Sequence, residues 1–120
     1  MSRDYRLYLD DMREASEKVL RYTHDMDYEE FKLDEKTFDA VVRNLEVIGE
    51  AAKHIPDEVR ERYPRVEWRR ISGLRDMVVH EYFNADEDIL WDVVRNRVPE
   101  LLEQVKEILG KEEKKEEEDK

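Results

Sequence analysis

Cysteine is absent from the 120 residues. That removes a disulfide framework, a thiolate metal site and a cysteine nucleophile together. Glycine and proline number three each. The glycines stand alone, so there is no Gly-rich loop to cradle a phosphate. The serines, Ser2, Ser16 and Ser72, do not sit in a nucleophile-elbow pattern. No apolar run approaches the roughly 20 residues that span a bilayer. Met1 to Tyr5 lacks the apolar core of a signal peptide. The expectation is a soluble, cytoplasmic protein with no membrane partner. Glutamine occurs once and asparagine three times among many Glu, Arg and Lys, a balance that suits a thermophile.

What is abundant is charge. Charged residues are 46% of the chain and hydrophobic ones 39%, with a net charge of −11. A uniformly basic nucleic-acid binder is excluded. The apolar residues recur at helical spacing with no alternating β-branched run, so the chain reads as folded and all-α rather than disordered.

The first helix is expected over about residues 3–23, with a stripe of Tyr5, Tyr8/Leu9, Met12, Ala15/Ser16 and Val19/Leu20. Asp27 with Glu30 reads as a capping box for a short turn that presents Phe31. Asp34 reads as the N-cap of a second long helix over about 35–55, with Phe38, Val41/Val42, Leu45, Ile48, Ala52 and Ile55 inward. Gly49 lies inside it, at a cost of about 1 kcal/mol relative to Ala; with Ala51 and Ala52 nearby, close approach by another helix explains it. Pro56 ends that helix or starts a short one over 57–62. A third main helix is expected over about 67–80 and a last helical region over about 87–109. Pro99 lies inside the last region and should kink or break it near 96–98. Gly110 closes it, and residues 111–120, all charged, form a solvated, frayed tail. The architecture is an up-and-down bundle of four long helices plus one or two short ones, one domain over residues 1–110.

Residues 60–75 hold six Arg against two Glu, a local balance of +4 in a chain whose remainder is −15. Arg suits phosphate through its planar fork. This window, with Arg69 and Arg70 adjacent in it, is the one place where the protein could receive a polyanion; the alternative is surface Arg paired with the abundant carboxylates. Trp68 and Trp91 read as core rather than base-stacking residues.

Arg75 and His80 follow, five residues apart, about 140° around a continuous helix. They could line two walls of one cleft, or His80 could leave the helix at its end. A histidine can move a proton near neutral pH, and an Arg can stabilise charge developing on a phosphate. Together they are a minimal set for metal-free RNA cleavage through the ribose 2′-OH. A hydrogen-bonded structural histidine is the alternative. His24, His54 and His80 form no i, i+3 or i, i+4 pair, so neither a metal site nor a cofactor is expected.

The Arg-x4-His-x-Tyr run, Arg75, His80 and Tyr82, resembles the signature of HepT-type toxins of the HEPN superfamily. The block from Asp39 to Ala52, the pattern Tyr8 to Met12, the stretch Trp68 to Phe83, and Trp91 with Pro99–Leu101 resemble that family as well. The resemblance covers residues 4–109. It implies an HEPN-like, homodimeric bundle and a metal-independent ribonuclease acting on RNA, with Arg75 and His80 catalytic at a cleft between protomers. Asp76 fits the polar residue after the Arg, and Asn44 and Glu50 match polar positions of the second-helix block. It further implies a type VII-like toxin–antitoxin pair, in which a minimal nucleotidyltransferase transfers AMP to Tyr82 and blocks the cleft. The other readings are a non-catalytic partner subunit of a nucleotidyltransferase, which the charge of −11 suits, and a plain dimerisation unit.

Overall fold

The computed structural model describes residues 4–78 and 87–118. His80, Tyr82 and the stretch between the third helix and the last, residues 81–86, lie outside the described residues. Among the described residues every regular element is helical. α1 spans Tyr5–Tyr22, α2 Tyr28–Leu33, α3 Glu35–Lys53, α4 Asp57–Arg62 and α5 Trp68–Ser72. Residues 74–78 are helical too. α6 spans Glu87–Asp92, a π-helical turn spans Val93–Arg97, and α7 spans Val98–Glu118. The all-α architecture matches the sequence reading. Among the described residues, no helix is long and apolar enough to cross a membrane.

The caps are the ones the sequence signals. Asp27 accepts from the Glu30 N–H while the Glu30 side chain accepts from the Asp27 N–H, a reciprocal capping box. The Asp34 carboxylate accepts from the Thr37 N–H at 3.0 Å and starts α3. α1 packs along α3 and α7. Leu9, Met12, Val19, Val41, Leu45, Ile48 and Val105 are fully buried between them, each worth about 1.5–3 kcal/mol of transfer free energy. Phe31 of α2 closes one side against Phe38 and Trp91, at 5.4 and 4.9 Å between ring centroids.

Three expectations change. The third main helix is not continuous: α5 ends at Ser72, with Gly73 as its C-cap, before residues 74–78 resume. The bend falls where the chain presses on α3. A Cβ built on Gly49 would stand 2.9 Å from the Arg75 backbone N, 3.2 Å from the Ile71 carbonyl O and 3.3 Å from the Leu74 Cβ. Gly49 therefore marks a close approach, as its place in the stripe suggested.

The break expected before Pro99 is a π-turn. The Val98 N–H reaches back five residues to the Val93 carbonyl. The turn ends directly before Pro99, which has no N–H to donate, and the helix continues into α7.

The frayed tail is the largest change. Gly110 does not close the last helix, which runs on to Glu118. The reason is Glu112, only 2% exposed although charged. It continues the stripe of Leu101, Val105 and Ile108 at helical spacing. Its carboxylate accepts from Arg62 Nη2 at 2.6 Å, and the phenols of Tyr5 and Tyr63 lie close enough to feel its charge. A guanidinium from α4 thus pairs a buried carboxylate, with a phenol from α1 and one from the residue after α4 nearby, and holds the tail down.

Three predictions follow from these contacts. Gly49→Ala, which in an open helix would stabilise by about 1 kcal/mol, should instead destabilise by about 1–3 kcal/mol in urea denaturation, because backbone atoms have to yield. Arg62→Ala should cost about 2 kcal/mol by leaving a buried carboxylate short of its charged donor, and amide exchange should then show residues 111–118 opening before the core. Alkaline pH should act on the same place. Burial first, and then the Glu112 carboxylate, push the phenols of Tyr5 and Tyr63 above their ordinary value of 10.0. A raised folded-state value means that the protonated phenol stabilises the fold fully below pH 10 and that this contribution is lost as pH rises through the raised values. Tyr5→Phe with Tyr63→Phe should flatten that alkaline loss in a pH series of melting temperatures.

Candidate functional site

Arg75 lies on the helical residues 74–78, and its own backbone N is the nearest atom in the contact with Gly49. Its Nη1 donates to Glu50 Oε2 of α3 at 3.2 Å. Glu50 is next to Gly49, so the close approach and the pairing are set by neighbouring residues. Both side chains are half-exposed, 54% for Arg75. An ion pair so open to water is worth about 0–1 kcal/mol. The backbone contact fixes where Arg75 starts, and the Glu50 pairing is weak enough for another anion to replace it.

Around this pair lies a groove of about 460 Å³, lined by Tyr8 and Asp11 of α1, by Arg43, Glu46, Val47, Glu50 and Ala51 of α3, and by His54 and Arg75. His54 is the C-cap of α3. Its Nε2 stands 3.8 Å from Glu50 Oε1, and its ring stacks on Tyr8 at 4.5 Å between centroids and 12° between planes. Lys53 Nζ is 3.9 Å from Glu50 Oε2. One carboxylate is thus faced by an arginine, a lysine and a histidine.

The end of α3 is held by Arg60. Its Nη2 donates to the Ala52 carbonyl at 2.7 Å and its Nε to the Ile55 carbonyl at 3.0 Å. The Ala52 carbonyl also accepts from the Ile55 N–H at 3.2 Å, so Arg60 adds a second tie where the chain leaves α3. Arg60 also lies 6.0 Å from the centre of the Trp68 ring, whose Nε1–H donates to the Tyr63 carbonyl.

The arginine window therefore divides. Arg60 and Arg62 are committed to internal contacts. Arg70 pairs with Glu67 at 3.0 Å and lines a second groove of about 380 Å³, whose floor includes Ile71, Leu74, Met77 and Ile89. Arg69 is exposed and lines neither groove, so the structure does not bring Arg69 and Arg70 to Arg75.

Asp76 is exposed and lines neither groove. Arg75 pairs with Glu50 rather than with Asp76. Asn44 does not line the groove either: its Nδ2 donates to the Ala40 carbonyl at 2.8 Å, one turn back on α3, as an amide inside a helix often does. His80 and Tyr82 lie outside the described residues. Trp68 and Trp91 pack into the core and its edge, as read from the sequence.

Sequence reasoning passed over His54, Tyr8 and Arg43. His54 carried one legible signal, its i, i+4 spacing from Glu50, which places both on one face of α3. The pairing of Glu50 with Arg75 spans 25 positions and has no local signature.

The chain is similar to proteins named as ribonucleases. "Putative RNase MJ0127" of Methanocaldococcus jannaschii is 41% identical over 107 residues, covering 89% of this chain and 88% of the relative. "Probable ribonuclease HepT" of Thermococcus cleftensis is 40% identical over 101 residues, covering 84% and 92%. "Putative RNase TTE0752" of Caldanaerobacter subterraneus is 41% identical over 107 residues, covering 89% and 96%. No solved structure matches the chain significantly. The ribonuclease HepT-like family matches residues 12–108, from the middle of α1 to the last apolar turn of α7. That span takes in α3 and Arg75, and the chain belongs to the ribonuclease HepT-like family.

Proposed function

We propose that this ribonuclease is a metal-independent endonuclease toxin, active as a homodimer in the cytoplasm and silenced by AMP transferred to Tyr82 by a minimal nucleotidyltransferase. The observation that carries the reading is the placement of Arg75: fixed by its backbone at Gly49, yet held at its guanidinium only by an exposed carboxylate. A substrate phosphate can take the place of Glu50 and gain a two-pronged contact. Glu50 keeps Lys53 and His54 as neighbours when Arg75 leaves it.

The step follows from these groups and from the motif. The ribose 2′-oxygen attacks the adjacent phosphorus and loses its proton to a base. The bond to the 5′-oxygen breaks, and that oxygen takes up a proton. The products are a 2′,3′-cyclic phosphate and a 5′-hydroxyl. Arg75 stabilises the charge that builds on the non-bridging oxygens. His80 exchanges the proton. In the silencing step, the Tyr82 hydroxyl attacks the α-phosphorus of ATP and pyrophosphate leaves. The added phosphate, two residues from His80, then repels RNA.

The partner-subunit reading retains one specific support, the net charge of −11, and one assay separates the two. Protein shown by intact mass to be unmodified is incubated with labelled RNA in excess chelator. Arg75→Ala and His80→Ala should each lower the cleavage rate at least 10²-fold, and the products should carry cyclic-phosphate ends. Undiminished cleavage by either variant removes that residue from the mechanism. No cleavage by the unmodified wild type, with a stable complex formed on adding a nucleotidyltransferase, replaces this reading by the partner subunit. Tyr82→Phe should cleave RNA and accept no AMP.

A further inference from the structure

We propose that the stacked pair of Tyr8 and His54 is a nucleobase platform, on which the base beside the bound phosphate lies. The proposal rests on the reading that RNA enters the groove against Arg75.

The two rings come from different elements, Tyr8 from α1 and His54 from the end of α3. They lie 12° from parallel with centroids 4.5 Å apart, a face-to-face arrangement. Tyr8 is half-buried, while the His54 side chain is 48% exposed. One face of the imidazole is covered by the phenol, and the ring projects into the groove. Interior packing does not need a ring there, since the α3 stripe ends on Ile55, which is buried. A base placed on the ring extends a stack that already exists, so little side-chain order has to be created on binding.

The platform is rigid where it needs to be. Arg60 ties down the two carbonyls flanking His54, those of Ala52 and Ile55. Among the described residues, Glu50 faces the ring edge at Nε2 and Tyr8 alone stacks on a ring face.

The spacing suits one nucleotide. Arg75 and His54 face different oxygens of the same carboxylate, at 3.2 and 3.8 Å. That holds the guanidinium and imidazole nitrogens within about 9 Å of each other, given ordinary C–O lengths. A phosphate on Arg75 and its neighbouring base on His54 fit that separation. Arg43 lines the same groove and is exposed, which offers the next phosphate a cation. Stacking accepts every base and takes larger ring systems better, so the platform gives affinity with a preference for purine over pyrimidine.

The probes are fluorescently labelled single-stranded oligoadenylate and oligouridylate. Binding is read by anisotropy and cleavage by initial rates, with melting temperatures recorded for every variant. His54→Ala should raise Kd and KM for oligoadenylate about tenfold with kcat little changed, the scale of losing one base–aromatic stack. His54→Phe should restore both to within about threefold of wild type, because a phenyl ring stacks but carries no proton. The wild-type preference for oligoadenylate should narrow in His54→Ala and return in His54→Phe. Wild-type affinity in His54→Ala overturns the platform. So does a His54→Phe protein that folds normally but performs as poorly as His54→Ala, which makes the imidazole proton or charge the relevant property. Arg75→Ala separates this failure from failure of the groove itself. Weak RNA binding in Arg75→Ala beside normal binding in His54→Ala removes the platform and keeps the groove. Normal binding in both, or no binding of either RNA by the wild type, removes both.

Discussion

The groove depends on one contact: the backbone of residues 71–75 lying against α3 at Gly49. Any side chain at that position would place a carbon 2.9 Å from the Arg75 nitrogen, so only a hydrogen fits without displacement. The rest of the site follows along α3 in register. Glu50, the next residue, receives Arg75. His54, one turn further, meets the other oxygen of the same carboxylate. Arg60 then closes the end of the helix. A shift of α3 by one residue would rotate its inward stripe by about 100° and break the Gly49 contact together with the pairing. The core and the site are therefore set by the same packing.

Charge in this protein is arranged by pairing rather than by field. The window that looked like a polyanion patch spends Arg60 on helix carbonyls, Arg62 on Glu112 and Arg70 on Glu67. The groove around Arg75 carries Arg43 and His54 beside Asp11, Glu46 and Glu50. It is close to neutral in a chain of net charge −11, and a chain of that sign does not draw RNA in from a distance. Affinity has to come from a few short contacts. Few phosphate contacts imply a shallow dependence on salt and leave room for uncharged stacking to matter.

Features with a local cause were legible in the sequence. The capping box at Asp27 and Glu30, the cap at Asp34, the close approach at Gly49 and the disturbance before Pro99 each follow from residue type and spacing within one or two turns. The features that were missed need the third dimension. Glu112 reads as part of a solvated charge run until Arg62, fifty positions away, arrives with Tyr5 and Tyr63. The burial of one carboxylate then carries a helix through Gly110, against that residue's propensity. The bend at Gly73 belongs to the same class, since a continuous apolar stripe is silent about what the helix has to pack around. At the site, Arg75 was legible as a residue, while its partner Glu50 and the neighbours His54 and Tyr8 were not, because they meet only through the packing of α1 and α3.

Two ion pairs of unlike burial in this chain correspond to two tasks. Arg62 and Glu112 are linked at 2.6 Å with the carboxylate sealed from water. Removing one partner strands a charge, so the pair is hard to open and serves to hold the last helix in place. Arg75 and Glu50 are linked at 3.2 Å with both ends in solvent. Opening that pair costs little, because water already solvates both groups. A group that has to meet an incoming phosphate needs the second kind of partner, close enough to set the direction of the side chain and weak enough to be displaced. Had Glu50 been sealed as Glu112 is, Arg75 would have been a structural residue and the groove would have had no exchangeable cation. Exposure at this point of α3 is what lets one and the same guanidinium be placed by the fold and, on the proposed reading, remain available to substrate.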